Sequence, residues 1–284
     1  MKKRDQTVLL LEKYIHLFRC PICKGEMDIR EKSMLCVNQH TFDVAKKGYI
    51  NLYMQSSPEQ YDKELFEARH RVIAGGLYQP LHEKITTVIK SHSQNKLHIL
   101  DVGSGEGSHL HEILKRIDHI NPQGFGIDIS KDGIMTAAKY YPEAIWSVGD
   151  LAKNPFQKSS FHVLLNILSP ANYEEFDRIS TKDAVVIKVV PQQNYLKEIR
   201  EIISSEPSNY SNDETVNKFH EHYSKTEIHR LTYKQEIDND LRVQLWRMTP
   251  LTWNTDYDEI KDKIDKLMEV TIDLDILIGR HAED

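Results

Sequence analysis

The stretch that decides the fold is His98 to Gly107, HILDVGSGEG. Leu97, Ile99 and Leu100 form an apolar run that ends in Asp101, and glycines follow at Gly103, Gly105 and Gly107. An apolar run that stops at a glycine-rich turn and continues with helical periodicity reads as a buried parallel strand, a tight turn and a helix. Glycine there permits positive φ and lets backbone approach a ligand closely. The spacing is G-x-G-x-G, not the G-x-G-x-x-G of dinucleotide-binding folds. A glycine-rich turn that holds no ligand is the plain alternative.

Outward from that turn, strand and helix signals alternate. Leu110, Ile113, Leu114 and Ile117 make one helical face. Gly124 to Ile129 is a second strand carrying Asp128, 21 residues after Gly107. An acid at this place in a nucleotide-binding α/β domain accepts hydrogen bonds from ribose hydroxyls. Ser130 suits the N-cap of the next helix. A third strand, Ala144 to Val148, leads to Asp150, which reads equally as an adenine contact or a turn aspartate. Phe161 to Leu168 is a fourth strand, and ligands of open parallel sheets bind beyond the carboxyl ends of strands. Asn166 and Ser169 are therefore candidates to orient a base edge, with Pro170 shaping the backbone; packing and loop capping explain the same residues. Ala184 to Val190 is a fifth buried strand, and a helix begins around Tyr195. Residues 206–227, polar and aromatic, read as a mobile insertion, and Trp246, Met248, Pro250 and Trp253 as a wall over a base or an ordinary core edge. TIDLDILIG from Thr271 predicts a final strand at the sheet edge.

The chain has 284 residues, enough for one catalytic domain and a smaller appendage. No apolar run approaches the roughly 18 residues of a membrane span. The basic-then-apolar start, MKKRDQTVLLLEKY, is cut short by Glu12 and Lys13, so a cytoplasmic location is expected. Net charge is −6, which opposes a nucleic-acid partner, but residues 1–90 hold 15 Lys/Arg against 11 Asp/Glu. Local positive surface matters more than the total for phosphate binding, so an RNA contact near the N-terminus is permitted. Lys46 and Lys47, at a turn around Gly48, either meet RNA phosphates or are merely solvated.

The three cysteines, Cys20, Cys23 and Cys36, fall within one 17-residue window, and an odd clustered set argues against a disulfide framework. Cys20 and Cys23 form C-x2-C; Cys36 and His40 form C-x3-H after twelve intervening residues. Four such ligands match a closed tetrahedral structural zinc site. The alternatives are reduced cysteines beside a satisfied histidine, or a redox C-x-x-C, for which no flanking strand–helix pattern speaks. His220, His222 and His229 have no cysteine among them and do not suggest a second metal site.

The G-x-G-x-G turn resembles motif I of class I methyltransferases. The zinc signature, FDVAKKGYINL, the LYQPL segment, LDVGSGEG and MTPLTW also occur in the order seen in the RlmA family, bacterial 23S ribosomal RNA guanine-N1 methyltransferases. The resemblance implies an α/β fold: a class I, Rossmann-like methyltransferase domain with a small N-terminal zinc-binding module. It divides the chain into a zinc-binding RNA-recognition module (1–54), a linker with helices (55–95) and an S-adenosylmethionine-dependent domain (96–284). Cys20, Cys23, Cys36 and His40 would hold one zinc ion. Tyr78, Gly105, Glu106, Gly107 and Asp128 would line the cofactor site, with Asp101, Gly103, Asp150 and Tyr195 as further cofactor-binding candidates. The family's histidine after the fifth strand is matched here by Tyr195, and ILSPAN with its following loop lacks the usual P-G-G turn. The implied substrate is one of two nearby guanines in a domain II hairpin, and the implied assembly a homodimer.

Methyl transfer to guanine N1 requires in-line approach and an acceptor for the N1 proton. No carboxylate fills that role from sequence. Two other readings are a small-molecule methyltransferase and an RNA-binding protein without catalysis. The first is opposed by the basic N-terminal region; the second is kept open by the departures around 166–195.

Overall fold

The computed structural model describes residues 1–55, 62–92, 97–203, 210–252, 255 and 257–281. Ser56, Ser57 and Pro58 of the expected linker, residues 93–96 and Trp253 lie outside the described residues.

The chain opens with helix α1 (Lys3–Tyr14) and strands β1 (Met27–Arg30), β2 (Ser33–Cys36), β3 (Thr41–Asp43) and β4 (Ile50–Asn51). Helices α2 (Lys63–Ala74) and α3 (Gln79–Ser91) follow. The alternating part is β5 (His98–Val102), α4 (Ser108–Arg116), β6 (Gln123–Asp128), α5 (Lys131–Tyr140), β7 (Ile145–Val148), β8 (Phe161–Ile167), α6 (Tyr173–Ile179) and β9 (Ser180–Pro191). Then come α7 (Lys197–Ile203), α8 (Asp213–His222), β10 (Lys225–Glu236), α9 (Asn239–Met248), α10 (Tyr257–Ile264) and β11 (Glu269–Arg280).

Eight strands form one sheet in the order β10-β11-β9-β8-β5-β6-β7-β4. β4 through β9 pair in parallel, and β11 runs antiparallel to both β9 and β10. Helices cover both faces, so the central strands are apolar throughout, as parallel strands buried on two sides must be. Ile99, Leu165, Ile187 and Ile276 belong to the cluster under α2 to α5, while Leu100, Leu164, Val186 and Leu277 face the other way, toward the N-terminal module and α8.

β1, β2 and β3 make a small antiparallel sheet that presents the Cys/His cluster. The same segment is tied to the large sheet: β4 pairs with β7, Phe18 bridges Phe156, and Tyr14 packs edge-on against Phe125.

Two expectations from sequence are corrected. TIDLDILIG is not an edge strand: β11 lies inside the sheet, and β10 is the edge. The alternating Asp273 and Asp275 mimic a solvent face, but both are buried and bound by Arg230, with Thr232 also on Asp273 and Asn212 on Asp275. The polar segment 206–227 contains a folded helix, α8, anchored by fully buried Phe219 against Gly279, where an added Cβ would lie 2.7 Å from the ring.

Candidate active site

A cleft of about 790 Å³ opens at the carboxyl ends of β5, β6, β8 and β9. That size suits a small-molecule site, and the position is the one where open α/β sheets bind ligands. One wall is the glycine turn. Gly103, Gly105 and Gly107 all have positive φ (+79°, +53° and +81°). Gly105 and Gly103 line the cleft, whereas Gly107 does not. Gly107 starts α4, and the space beside it is filled by Trp146, 2.4 Å from where a Cβ would sit. It serves helix–sheet packing.

Asp128 closes the end of β6. Its carboxylate accepts from the Gly105 N–H and the Ser130 N–H, each at 2.8 Å, and so fixes the turn while lining the cleft. Burial raises its pKa, partly offset by those two N–H groups. Glu106 is buried, caps Ser108 N and also has a raised pKa from burial. Asp101 lies behind the turn, outside the lining; burial, then the charges of Glu106 and Asp128, hold its carboxyl well above the ordinary range. Asp150 is not in the lining either. Its carboxylate accepts from Ala152 N at 2.8 Å, which is the turn-aspartate role, and its neighbour Leu151 reaches the cleft instead.

Tyr78 and Tyr195 meet inside the cleft with their hydroxyls hydrogen-bonded at 2.5 Å. Tyr78 packs on His109, which exchanges a hydrogen bond with buried His82 at 2.9 Å. Burial lowers these histidines to about 3 and about 2, so both are neutral at physiological pH.

The opposite wall is the turn after β8. Leu168 has φ +52°, a strained value for a branched side chain, and strain of this kind gathers at functional sites. Ser169 and Pro170 line the cleft. Asn166 does not: it is fully buried, its amide donates to Val102 O (2.9 Å) and Pro170 O (3.0 Å), and its Oδ1 accepts from Lys188 Nζ at 2.6 Å. Asn166 braces the turn rather than facing a substrate.

Sequence reasoning assigned no role to three lining residues: Arg69, His109 and Lys188. Arg69 donates to Met248 O at 3.2 Å, and its charge opposes the upward shifts of Glu106 and Asp128. Lys188 had a visible signal, a lone cation inside the apolar run AVVIKVV. Of the expected aromatic wall, Met248 lines the cleft, while Trp246 packs with Ile260 and Ile264.

The cleft fits S-adenosylmethionine: the Asp128 carboxylate stands beside a turn whose Gly103 and Gly105, both at positive φ, bring bare backbone to the cleft wall. The metal cluster fits zinc equally well. The ligand atoms of Cys20, Cys23, Cys36 and His40 all lie within 4.8 Å of one another, with His40 Nδ1 3.5 Å from Cys20 Sγ and 3.3 Å from Cys36 Sγ, and the Cys23 and Cys36 sulfurs 3.7 Å apart. Tetrahedral zinc with ordinary bond lengths places such atoms roughly 3.5–3.8 Å apart. Hydrogen bonds from Asn38 and Gly25 lower Cys23 to about 6, favouring its thiolate, the ligating form.

Fold and site together define an S-adenosylmethionine-dependent class I methyltransferase with an N-terminal zinc-binding module. Residues 18–54 match the family described as "RlmA, N-terminal", and residues 99–188 match "Methyltransferase domain". YxjB of Bacillus subtilis (strain 168), provisionally named a 23S rRNA (guanine-N(1)-)-methyltransferase, is 40% identical over 274 residues, covering 93% of this chain and 96% of that protein. The 23S rRNA (guanine(748)-N(1))-methyltransferase of Streptomyces fradiae is 26% identical over 274 residues, covering 94% and 97%. Among solved structures, a Haemonchus contortus phosphoethanolamine N-methyltransferase 2 superposes with a TM-score of 0.50 at 13% identity, over 79% of this chain and 58% of that one, a likeness of fold alone. The chain belongs to the RlmA family of 23S rRNA (guanine-N1)-methyltransferases.

Proposed function

We propose that this protein transfers a methyl group from S-adenosylmethionine to N1 of a guanine in a domain II hairpin of 23S ribosomal RNA. The observation that carries the reading is the near full-length 40% identity to a relative named for guanine-N1 methylation of 23S rRNA, in a chain whose cleft is lined by Asp128, the glycine turn and Ser169. Bound in the cleft, S-adenosylmethionine supplies an electrophilic methyl group on a sulfonium. Asp128 takes the ribose hydroxyls, and Gly103, Gly105 and the Glu106 backbone cradle the rest of the nucleoside. Tyr78 and Tyr195 flank it. Ser169 and Pro170 border the base that receives the methyl group, held in place from behind by Asn166.

Residues 1–54 act as the RNA-recognition module, with Lys46 and Lys47 exposed and Lys47 Nζ reaching Met135 Sδ on α5. Among the described residues, no helix is long and apolar enough to cross a membrane. The protein works as a homodimer in the cytoplasm, where its RNA is made.

Primer extension on the target RNA tests the reading. N1 methylation blocks the pairing edge, so protein and S-adenosylmethionine together produce a reverse-transcription stop one nucleotide before the modified guanine. Absence of a protein-dependent stop contradicts it. Lys46 and Lys47 changed to Ala weaken hairpin binding while leaving S-adenosylmethionine binding intact.

A further inference from the structure

Lys188 is only 3% exposed, yet it forms part of the cleft wall. It projects from the middle of β9, opposite Asn166 on β8 and Leu277 on β11. Its Nζ has two hydrogen-bond partners, Asn166 Oδ1 at 2.6 Å and the Ser169 carbonyl oxygen at 2.9 Å. Both are neutral acceptors, and among the described residues no carboxylate lies within ion-pair distance of it. A neutral amine has two N–H donors and one lone pair. Two acceptors satisfy those donors and leave the lone pair for whatever enters the cleft. An ammonium would have a third N–H to satisfy in a buried place, at the cost of desolvating an unpaired charge.

The reaction has a matching gap. N1 of neutral guanine carries a proton, and some group must remove it as the methyl group arrives. The carboxylates nearest the cleft are committed elsewhere: Asp128 to Gly105 and Ser130, Glu106 to Ser108. Asp101 lies behind the glycine turn, in register with Leu165 rather than with Asn166.

We propose that Lys188, as the free amine, is the base that accepts the guanine N1 proton. This rests on the reading of the cleft as a guanine-N1 methyltransferase site. The N1–carbon bond forms as the carbon–sulfur bond breaks, sulfur keeps that electron pair, and the N1 proton passes to Nζ. The products are neutral 1-methylguanine, S-adenosylhomocysteine and a Lys188 ammonium, which returns its proton to water when the cleft empties. The Asn166 and Ser169 acceptors orient the amine and join it to the turn that borders the base.

Burial brings Lys188 down to about 8, with no charged neighbour contributing. On the same side of the sheet, Tyr173 at the start of α6, Tyr210 before α8 and Lys218 on α8 line the cleft, and Asp273 and Asp275 on β11, Arg230 on β10 and Tyr223 after α8 lie on that face. Asp275 is held by Asn212 and Arg230 and is not a competitor for the proton.

The test joins a titration with single-turnover kinetics on the hairpin. In wild-type protein labelled with ¹³C at lysine Cε, one resonance, assigned by its loss in Lys188→Met, titrates near 8, against about 10.4 for an ordinary lysine. The methyl-transfer rate rises tenfold per pH unit below that point and levels off above it. Lys188→Met and Lys188→Arg each lower the rate about 100-fold or more, the usual scale for losing a general base, with cofactor affinity within threefold of wild type. A Lys188 titration above 10, a wild-type rate that climbs without a plateau, or a folded Lys188→Met with wild-type rate overturns the proposal. The pH–rate profile is read on wild-type protein alone and stands even where a variant does not fold. A wild-type protein that leaves the hairpin unmethylated overturns the functional reading itself, and the lysine proposal with it.

Discussion

The hydroxyl of Ser169 occupies the place where Gly103 would carry a side chain: a Cβ added to Gly103 would lie 1.9 Å from Ser169 Oγ and 2.7 Å from Ser169 Cβ. The two cleft walls therefore touch at their base, and the turn after β8 is set against the glycine turn after β5. Gly103 also has φ +79°. Gly103→Ala is expected to lower stability by about 1–2 kcal/mol from the left-handed backbone alone, with more from the clash. Cofactor affinity falls at least tenfold by calorimetry. Adding Ser169→Gly recovers the clash part of the stability loss and leaves the backbone part. Equal melting temperatures for wild type and Gly103→Ala would refute the contact.

Asp128 is expected to dominate cofactor affinity among the carboxylates. Asp128→Asn replaces an acceptor-only carboxylate, which takes two backbone N–H bonds, with a group that must turn an N–H toward one donor. Charged hydrogen bonds are worth about 1.5–3 kcal/mol, so affinity falls about 10- to 100-fold. Calorimetry on the purified variant checks this, and unchanged affinity removes Asp128 from the site.

Asp101 carries the opposite sign. Its folded-state pKa is raised, chiefly by burial. A carboxyl raised on folding contributes stability that is fully present below its unfolded pKa near 4 and is lost as pH rises through the folded value. Asp101→Asn is therefore expected to raise the melting temperature, by more at pH 8 than at pH 5. Thermal melts at both values decide it; a variant less stable at pH 8 than wild type would show that the ionised carboxylate is needed for the fold.

Zinc removal is expected to reach beyond the N-terminal module. Small zinc modules draw much of their folding free energy from the metal, and here the segment continues into β4, which pairs with β7. A chelator is expected to release one zinc per chain and to raise amide exchange first at 18–54 and then along β7. Cys36→Ser gives the same pattern without chelator. Exchange confined to 18–44, with β4 still protected, would show that the two sheets are energetically independent.

The strand–turn–helix at 98–116 was legible because an apolar run, three glycines and a helical face agree with one another over a short span. The zinc cluster was legible because ligand spacing is local. What escaped was set by residues distant in sequence. Two residues, Ile50 and Asn51, are too short a strand to read, and their partner lies almost a hundred positions on. Asp273 and Asp275 gave β11 the pattern of a half-exposed strand, and only Arg230 on the neighbouring strand shows that they are buried. Asn166 looked like a substrate contact until its amide was seen to be bound to Val102, Pro170 and Lys188. Lys188 itself was visible as a cation in an apolar run, but its partners belong to another strand and its turn.

The central claim is tested most directly by incubating the RNA hairpin with the protein and methyl-labelled S-adenosylmethionine, then digesting to nucleosides. The account predicts label in 1-methylguanosine alone, lost in Asp128→Asn at limiting cofactor. Label in any other nucleoside, or none at all, would contradict it.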